Sequence, residues 1–227
     1  MYEKGKGNPP QTEETMKSRP YSMRGSCPDG WLPLYRGLDI NRYELKAPAE
    51  FVSYGNWLAA PRSPELFEGS RILMRRTDDR ILASLETSTS VCVNSCHIIK
   101  LIDSKPTVRE EYILGILNSK LLQKLFEIQN PQMVGKVFAE IKVVYVERLP
   151  IRCIDFTNST DIEIHDQIVS LVDQMMSLHK LRSGIKTPHE QTATDRQISA
   201  IDSQIDREVY ALYGLTDEEI KLVEATA

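Results

Sequence analysis

Cys92, Cys96 and His97 are the residues whose types suggest a chemistry most directly, the binding of zinc. A structural zinc site needs four ligands in a tetrahedral array, usually supplied by two short-spaced pairs. Cys153 and His165 do not repeat the spacing of the first group, so a second pair is missing. Because buried cysteines are common on strands, we expect structural cysteines and no bound metal ion.

Two further patterns imitate catalytic motifs. Residues 8–11 (Asn-Pro-Pro-Gln) are similar to the Asn-Pro-Pro-aromatic motif of amino-methyltransferases that act on DNA, in which the aromatic ring stacks on a flipped-out base. Gln11 cannot stack in that way, and no glycine-rich turn follows an early strand to hold a nucleotide-like cofactor. Asp29 and residues 140–142 (Glu-Ile-Lys) mimic a metal-dependent nuclease motif, but they are far apart and lack a further acidic partner. We therefore expect no catalytic residue in this chain.

Basic side chains in turns and loops leave contact with nucleic acid as the remaining chemistry. Lys4 and Lys6 flank a glycine in a flexible N-terminal segment, where ammonium groups approach phosphates closely. Arg36 and Arg42 bracket a Gly-Leu-Asp turn. In the charged run 75–80 (Arg-Arg-Thr-Asp-Asp-Arg), arginine can bond guanine bidentately and aspartate can accept from cytosine. On spacing alone, a solvated surface turn is the favoured interpretation of that run.

The overall charge at first argues against nucleic acid, but its distribution removes the objection. The 227 residues carry 28 basic and 32 acidic side chains, a net charge of −4. Residues 1–150 hold 21 basic and 18 acidic groups (+3), whereas residues 151–227 hold 7 and 14 (−7). Only the C-terminal third is acidic, so DNA stays a possible partner of the rest.

Composition excludes several other classes. At 41% hydrophobic and 26% charged residues the chain is of ordinary globular type. It has no apolar run of the roughly 20 residues that a membrane helix needs, and its N-terminus does not have the pattern of a secretory signal. Four cysteines do not make a disulfide framework, and we expect a reducing, cytoplasmic location.

The N-terminal two thirds contain mostly short elements. Residues 1–30, rich in Gly, Pro, Ser and Thr, predict a loop-like N-terminal segment, and short β-branched runs between turn residues over 31–102 predict strands. Apolar residues at helical spacing predict one amphipathic helix over 108–127, capped by Thr107. The β-branched run 141–151 predicts another strand, ending at a proline.

The spacing of apolar residues changes in the last third of the chain. Apolar stripes over 161–182 and 192–213, joined by a short polar loop, predict an antiparallel helical hairpin. Gly214 ends the second helix, and Thr216 with Glu219 starts a last short one. The fold class we predict is α+β, with a mixed or antiparallel β recognition domain over 1–152 and the helical hairpin over 153–227.

Several weak motifs follow one another in an order that resembles a known family. They are Gly-Lys-Gly (5–7), Pro-Pro-Gln-Thr (9–12), Tyr-Arg-Gly-Leu-Asp-Ile (35–40), Tyr-Gly-Asn-Trp-Leu (54–58), Arg-Ile-Leu-Met-Arg (71–75), Leu-Gly-Ile-Leu-Asn-Ser-Lys (114–120), Leu-Pro-Ile (149–151) and Ile-Asp-Arg-Glu-Val-Tyr-Ala-Leu-Tyr-Gly-Leu-Thr (205–216). The set resembles the C-terminal target-recognition region of adenine-specific restriction-modification methyltransferases, the TaqI-like specificity domain of type IIG enzymes.

The resemblance implies a domain that reads double-stranded DNA for a methyltransferase, and often for a fused nuclease, lying N-terminal to it. It implies S-adenosylmethionine and a divalent metal for those upstream domains and no cofactor for this chain, which would be an excised, non-catalytic part. The helices near the end resemble the spacers of type I specificity subunits. The Cys92, Cys96 and His97 group is not part of the family pattern, so the resemblance adds no support for a metal.

From these observations we predict two sets of DNA-binding residues. Phosphate contacts are assigned to Lys4, Lys6, Arg36, Arg42, Arg62, Lys120 and Lys136, and base reading to Gln11, Thr12, Arg75, Arg76, Thr77 and Asp78. The acidic hairpin would pack on protein, either the methyltransferase part or a second subunit. Two alternatives stay open: an interaction module in which the hairpin is the function, and an enzyme fragment with residual methyl transfer.

Overall fold

A computed structural model describes residues 1–101, 108–136 and 139–225. The predicted cap at Thr107 and the predicted end of the strand region at 102 lie outside the described residues. The strands are β1 (Ser22–Arg24), β2 (Leu32–Tyr35), β3 (Ile40–Asn41), β4 (Glu44–Leu45), β5 (Glu50–Val52), β6 (Arg71–Arg75), β7 (Ala83–Glu86), β8 (Val91–Cys92) and β9 (Cys96–Ile99).

These strands form three small sheets, each dominated by antiparallel pairing. The first has the order β1-β5-β2-β8, in which β8 joins β2 in parallel; the second pairs β3 with β4; the third has the order β7-β6-β9. The run from residue 91 to residue 99 therefore makes two strands in different sheets, because a turn closes from the Cys96 N–H to the Val93 carbonyl at 3.1 Å.

Strand β6 lies between the two hydrophobic cores and contributes side chains to both. Successive side chains of a strand point to opposite faces. Ile72 and Met74 pack into the core formed with the helices, whereas Leu73 packs under the first sheet with Leu34 and Val91. Burial on both faces explains why this strand is a continuous apolar run rather than an alternating one.

The amphipathic stretch after β9 is two helices, not one. Helix α2 (Glu110–Asn118) ends at Ser119, whose hydroxyl accepts the Leu122 N–H at 3.2 Å and so caps α3 (Lys120–Gln129). The predicted single helix over 108–127 was wrong at this point, because serine competes with the helical backbone for hydrogen bonds.

The predicted strand over 141–151 is also wrong. Ile141 is buried and donates its N–H to the Arg76 carbonyl at 2.8 Å, but Val143 and Val144 are exposed in a one-turn helix, α4 (Val143–Val146). Apart from the bridge between Thr77 and Glu140, no strand of the described residues offers this segment a ladder. Without a partner strand, β-branched residues do not make a strand on their own.

The C-terminal helices follow the prediction closely, with longer bounds. Helices α5 (Ser159–Gly184) and α6 (Pro188–Tyr213) form the antiparallel hairpin, and α7 (Asp217–Glu224) follows. Gly214 caps α6 with φ of 65°, and Thr216 and Glu219 make the predicted capping box of α7. The predicted α+β class with a helical hairpin is confirmed.

The N-terminal segment 1–30, predicted to be loop-like, contains regular structure: a short helix, α1 (Glu13–Ser18), and the edge strand β1. The predicted boundary at residue 152 runs through the larger core, in which Leu114 and Ile116 of α2 lie in one cluster with Ile168 of α5 and Ile205 of α6. The division into two domains stays a prediction.

Candidate nucleic-acid interface

An open cleft of about 450 Å³ lies over the first sheet, and a shallower one of about 220 Å³ adjoins it. Arg19, Ser22, Arg36 and Glu50 line both. Neighbouring strands of one sheet place these residues together, since Ser22 pairs with Val52 on β5 and β5 pairs in turn with β2.

Exposed arginines surround this double cleft, each held by a different element. Arg19 lies just after α1 with φ of 49°, its guanidinium 5.8 Å from the centre of the Tyr2 ring. Arg24 ends the edge strand β1, and Arg36 follows β2 directly. Arg62 lies in the loop before β6, where the Tyr54 hydroxyl donates to its carbonyl at 2.6 Å.

These arginines differ in whether their guanidinium groups are already paired with another side chain. Arg36 is held by Glu50, whose Oε2 accepts from Nε at 2.9 Å and from Nη2 at 2.6 Å. The guanidinium groups of Arg24 and Arg62 make no hydrogen bond or ion pair with any residue that the structure describes. Arginine presents its donors as a rigid fork, the geometry that suits phosphate oxygens and guanine edges.

A buried ionic cluster lies close to Tyr35 of strand β2 in the first sheet. Arg71 is fully buried and donates to the carbonyls of Gly69, Ser88 and Ser90. Glu86 accepts from the hydroxyls of the same two serines. Burial, with the nearby Glu86 carboxylate, raises the pKa of Tyr35 to about 12, so this hydroxyl stays neutral beneath the sheet.

Of the predicted phosphate contacts, the structure brings Arg36 and Arg62 together at the cleft. Lys6 is exposed in the N-terminal segment, and Lys4 is exposed but paired with Glu13. The rest lie elsewhere. Arg42 binds Asp202 of α6 through two hydrogen bonds and Lys120 pairs with Asp206, whereas Lys136 is exposed in the loop after α3.

The predicted base-reading residues have unequal freedom. Gln11 is buried, and its amide group binds the Met1 and Trp57 carbonyls and the Glu3 N–H. Thr12 caps α1. Arg75 donates to the carbonyls of Gly37 and Ile40 and to Asp78, so both charges of that pair are already used.

Within this set, Arg76 contacts a residue that lines the cleft, and Thr77 is the next residue along the chain. Arg76 is 37% exposed, pairs with Glu140, and donates to the carbonyl of Asn94 at 3.1 Å. Asn94 itself lines the cleft, and Thr77 is exposed beside Arg76. The residue assignments stay predictions, but the contacts separate those with free donors from those without.

Sequence reasoning missed Arg19, Arg24 and Glu50. One signal was present: between positions 17 and 36 the chain has four basic residues and a single acidic one, Asp29. Glu50 gave no comparable signal, because its role depends on β5 pairing with β2 and bringing it beside Arg36.

Two of the three groups that imitate catalytic or metal sites are held by contacts within the fold. Cys92 and Cys96 are buried in the core under the first sheet, and His97 Nε2 lies 2.6 Å from the Ile141 carbonyl, with burial lowering the pKa of the imidazole. Over the described ranges, no three His, Cys, Asp or Glu side chains are grouped to hold a metal ion. Residues 8–11 lie in the N-terminal segment, where the Asn8 N–H binds the Asn56 carbonyl.

Fold and site together define a class: an α+β module with an arginine-rimmed cleft on its sheet and a helical hairpin behind it. The chain belongs to the TaqI-like C-terminal specificity domain family, whose profile matches residues 32–151, just over half of the sequence. The family resemblance seen in the sequence motifs is thereby confirmed.

A solved structure has a similar fold. The type IIL restriction-modification enzyme MmeI, determined in complex with DNA, matches with a TM-score of 0.55 over 91% of this chain at 11% identity. This chain spans about a third of the MmeI chain, 31%. Comparison with curated protein sequences found no significant match. Among the described helices, none is both long enough and apolar enough to span a membrane.

Proposed function

We propose that this chain recognises a specific double-stranded DNA sequence on behalf of a restriction-modification methyltransferase. The observation that carries the proposal is the cleft on the first sheet, where Arg19, Arg24 and Arg62 present exposed guanidinium groups. Membership of a specificity-domain family and the fold shared with a DNA-bound restriction-modification enzyme support it.

The contacts around the cleft separate candidate phosphate contacts from candidate base contacts. The side-chain cations of Arg24, Arg62 and Lys6 have no hydrogen-bond or ion-pair partner among the described residues and would bind phosphates, which fixes the register of the protein on the duplex. Arg76 and Thr77, next to Asn94 at the cleft edge, are the best placed of the predicted base readers. The acidic helical hairpin, with its charge of −7 over residues 151–227, would turn away from DNA.

Methyl transfer and cleavage would belong to catalytic domains outside this chain. S-adenosylmethionine and a divalent metal would act there, since the described residues offer neither a three-ligand metal group nor a glycine-rich turn after an early strand.

A salt titration of duplex binding tests the proposal. With about four phosphate contacts, affinity should fall roughly 100-fold between about 50 and 200 mM salt, and Arg62→Ala should reduce the slope of log K against log salt by about 1. Arg196→Ala on α6 is the matched control: it removes another exposed arginine, from the acidic hairpin, and should leave the slope unchanged. Duplex binding without salt dependence, or equal effects of the two variants, would reject the proposal.

A second function, docking of a protein on the hairpin, is favoured by a groove of about 900 Å³ along α5 and α6. Leu178, Leu181 and Ile201 line it together with Asp166 and Asp173, and burial raises the pKa of the Asp173 carboxyl. Leu181→Lys should weaken association with a methyltransferase subunit without changing affinity for DNA. Loss of DNA affinity in this variant would argue against two separate surfaces.

A further inference from the structure

We propose that the cleft on the first sheet is a nucleotide pocket, which takes one unstacked nucleotide with its base on the apolar floor and its phosphate among the arginines. This inference deepens the proposed function and rests on the same surface. The nucleotide could be an unpaired nucleotide of bound DNA or a free mononucleotide, since the two share base and phosphate chemistry.

The shape and lining of the cleft suit a planar base. Its volume of about 450 Å³ lies within the range of roughly 300–1,000 Å³ typical of small-molecule sites. The apolar part of the lining includes Leu34, Leu58, Phe67 and Val91, all almost fully buried, and the more exposed Pro61 and Val93. A smooth duplex backbone needs only a charged surface, whereas an apolar recess below that surface fits a base that has left its stack.

The rim supplies the groups that a phosphate needs. Arg62 lines the deeper cleft and has no ion-pair partner in the described part of the chain, and Arg19 lies where the deeper and the shallower cleft meet. Charged donors bind phosphate oxygens through short, charge-assisted hydrogen bonds.

Glu50 adds a group that recognises a base. Both hydrogen bonds from Arg36 go to Oε2, and Oε1 accepts none from the described residues. A carboxylate oxygen accepts from an exocyclic amine, as acidic side chains do with cytosine. The carboxylate side chain is 12% exposed, so it is accessible from the cleft while its position is fixed by Arg36.

The test is a titration of the full 227-residue chain with adenosine 5′-monophosphate, followed by backbone amide chemical shifts. We expect shifts at Leu58, Phe67 and Val91, and none there with inorganic phosphate alone. Arg62→Ala should weaken nucleotide binding about tenfold, the loss expected for one charged hydrogen bond, and Arg196→Ala should not. Glu50→Gln should weaken adenosine monophosphate more than uridine monophosphate, which has no exocyclic amine.

A second arm compares a duplex containing one unpaired adenine with the fully paired duplex of the same sequence. Tighter binding of the unpaired duplex assigns the pocket to DNA, and binding of the free nucleotide without that preference assigns it to a mononucleotide. The proposal of a nucleotide pocket is overturned if the floor residues show no chemical-shift change and the unpaired duplex is not preferred. Salt-dependent binding of the paired duplex in that case would leave the recognition function standing, so the two failures are distinguishable.

Discussion

At the scale of single residues, the motifs shared with the family mostly build the scaffold around the cleft. A Cβ on Gly37 would lie 2.8 Å from the Ser95 carbonyl oxygen, so only glycine fits there. Asn118 donates to the Ala83 carbonyl at 2.9 Å and accepts from its N–H at 3.2 Å, which ties α2 to β7. These motifs therefore place the elements that carry the candidate contact residues.

Arg75 and Arg76 are adjacent but should behave differently when truncated. Arg75→Ala leaves the Gly37 and Ile40 carbonyls and Asp78 without their donor, so we expect a loss of about 2–3 kcal/mol in the free energy of unfolding. Arg76→Ala removes a half-exposed ion pair, and we expect a change within about 1 kcal/mol. Urea denaturation of both variants measures the difference.

The same two variants distinguish a structural role from a base-reading role. Arg76→Ala should relax sequence preference in a competition between cognate and non-cognate duplexes, while total affinity changes less. Equal losses of affinity on every sequence would make Arg76 a phosphate contact instead. A folded, stable Arg75→Ala variant with altered preference would support the predicted base-reading role of Arg75.

At the scale of elements, a glycine of α2 makes a close contact with α5. A Cβ on Gly115 of α2 would lie 2.7 Å from Ile168 Cγ2 and 3.1 Å from Val172 Cγ2, both on α5. Alanine should gain about 1 kcal/mol of helix propensity but cost about 1–3 kcal/mol in overpacking. We expect Gly115→Ala to lose up to about 2 kcal/mol in urea denaturation.

Gly184 at the end of α5 provides the matched control. A Cβ on this glycine would meet nothing within 4 Å, and its backbone is not left-handed. Gly184→Ala should therefore be neutral or stabilising by up to about 1 kcal/mol. If both alanine variants were equally stable, close packing would not be the reason for the glycine in α2.

The sequence predicted the elements whose signal is local. The hairpin α5–α6 and the capping box of α7 depend on periodicity and on spacing within one turn, so both were predictable. The failure of a strand at 141–151 depends on which strands become neighbours. The break at Ser119 has a local cause, since its hydroxyl caps α3, but apolar periodicity alone does not show it. Glu50 beside Arg36 is the same case at the candidate site, since β5 must first pair with β2.

The junction between β3–β4, α3 and α6 has an unusual polar interior. The Asp206 carboxylate accepts the Lys120 N–H at 2.9 Å through Oδ1. Its Oδ2 lies 3.3 Å from Lys120 Nζ in an ion pair without hydrogen-bond geometry, and the hydroxyls of Tyr43 and Tyr210 have no hydrogen-bond partner among the described atoms. Burial, reinforced by Asp202, raises the pKa of Asp206, against the opposing effect of Lys120.

This junction should make stability depend on pH. A carboxyl whose pKa is higher in the folded than in the unfolded protein stabilises the fold below its unfolded pKa, and that contribution is lost as pH rises through the folded pKa. Asp206→Asn cannot ionise, so it should lose less stability than the wild type between about pH 4 and pH 7. Glu163→Gln, an exposed carboxyl on α5, should follow the wild-type curve. Parallel curves for Asp206→Asn and wild type would exclude Asp206 as the cause.

At the scale of the whole molecule, charge separates two parts of the chain that packing joins. Charge separates residues 1–150 (+3) from 151–227 (−7), which suits one face for DNA and another for protein. Packing joins the same two parts, because Ile72 and Met74 of β6, Leu114 of α2 and Ile205 of α6 belong to one core. A shared core holds the cleft at a fixed orientation relative to the hairpin groove.

The shared core predicts cooperative unfolding, which two probes can follow separately. The chain's two tryptophans, Trp31 and Trp57, both lie in the N-terminal part, so their fluorescence reports on the sheets. Far-ultraviolet circular dichroism reports mainly on the long helices α5 and α6. We expect coincident urea transitions, the behaviour of a single two-state unit.

A chain ending at residue 152 would expose the apolar face of α2 and should show no cooperative fluorescence transition. A sharp transition in that shortened chain would instead mean that the first sheet and its cleft fold as an independent recognition domain, and that the hairpin only docks onto it.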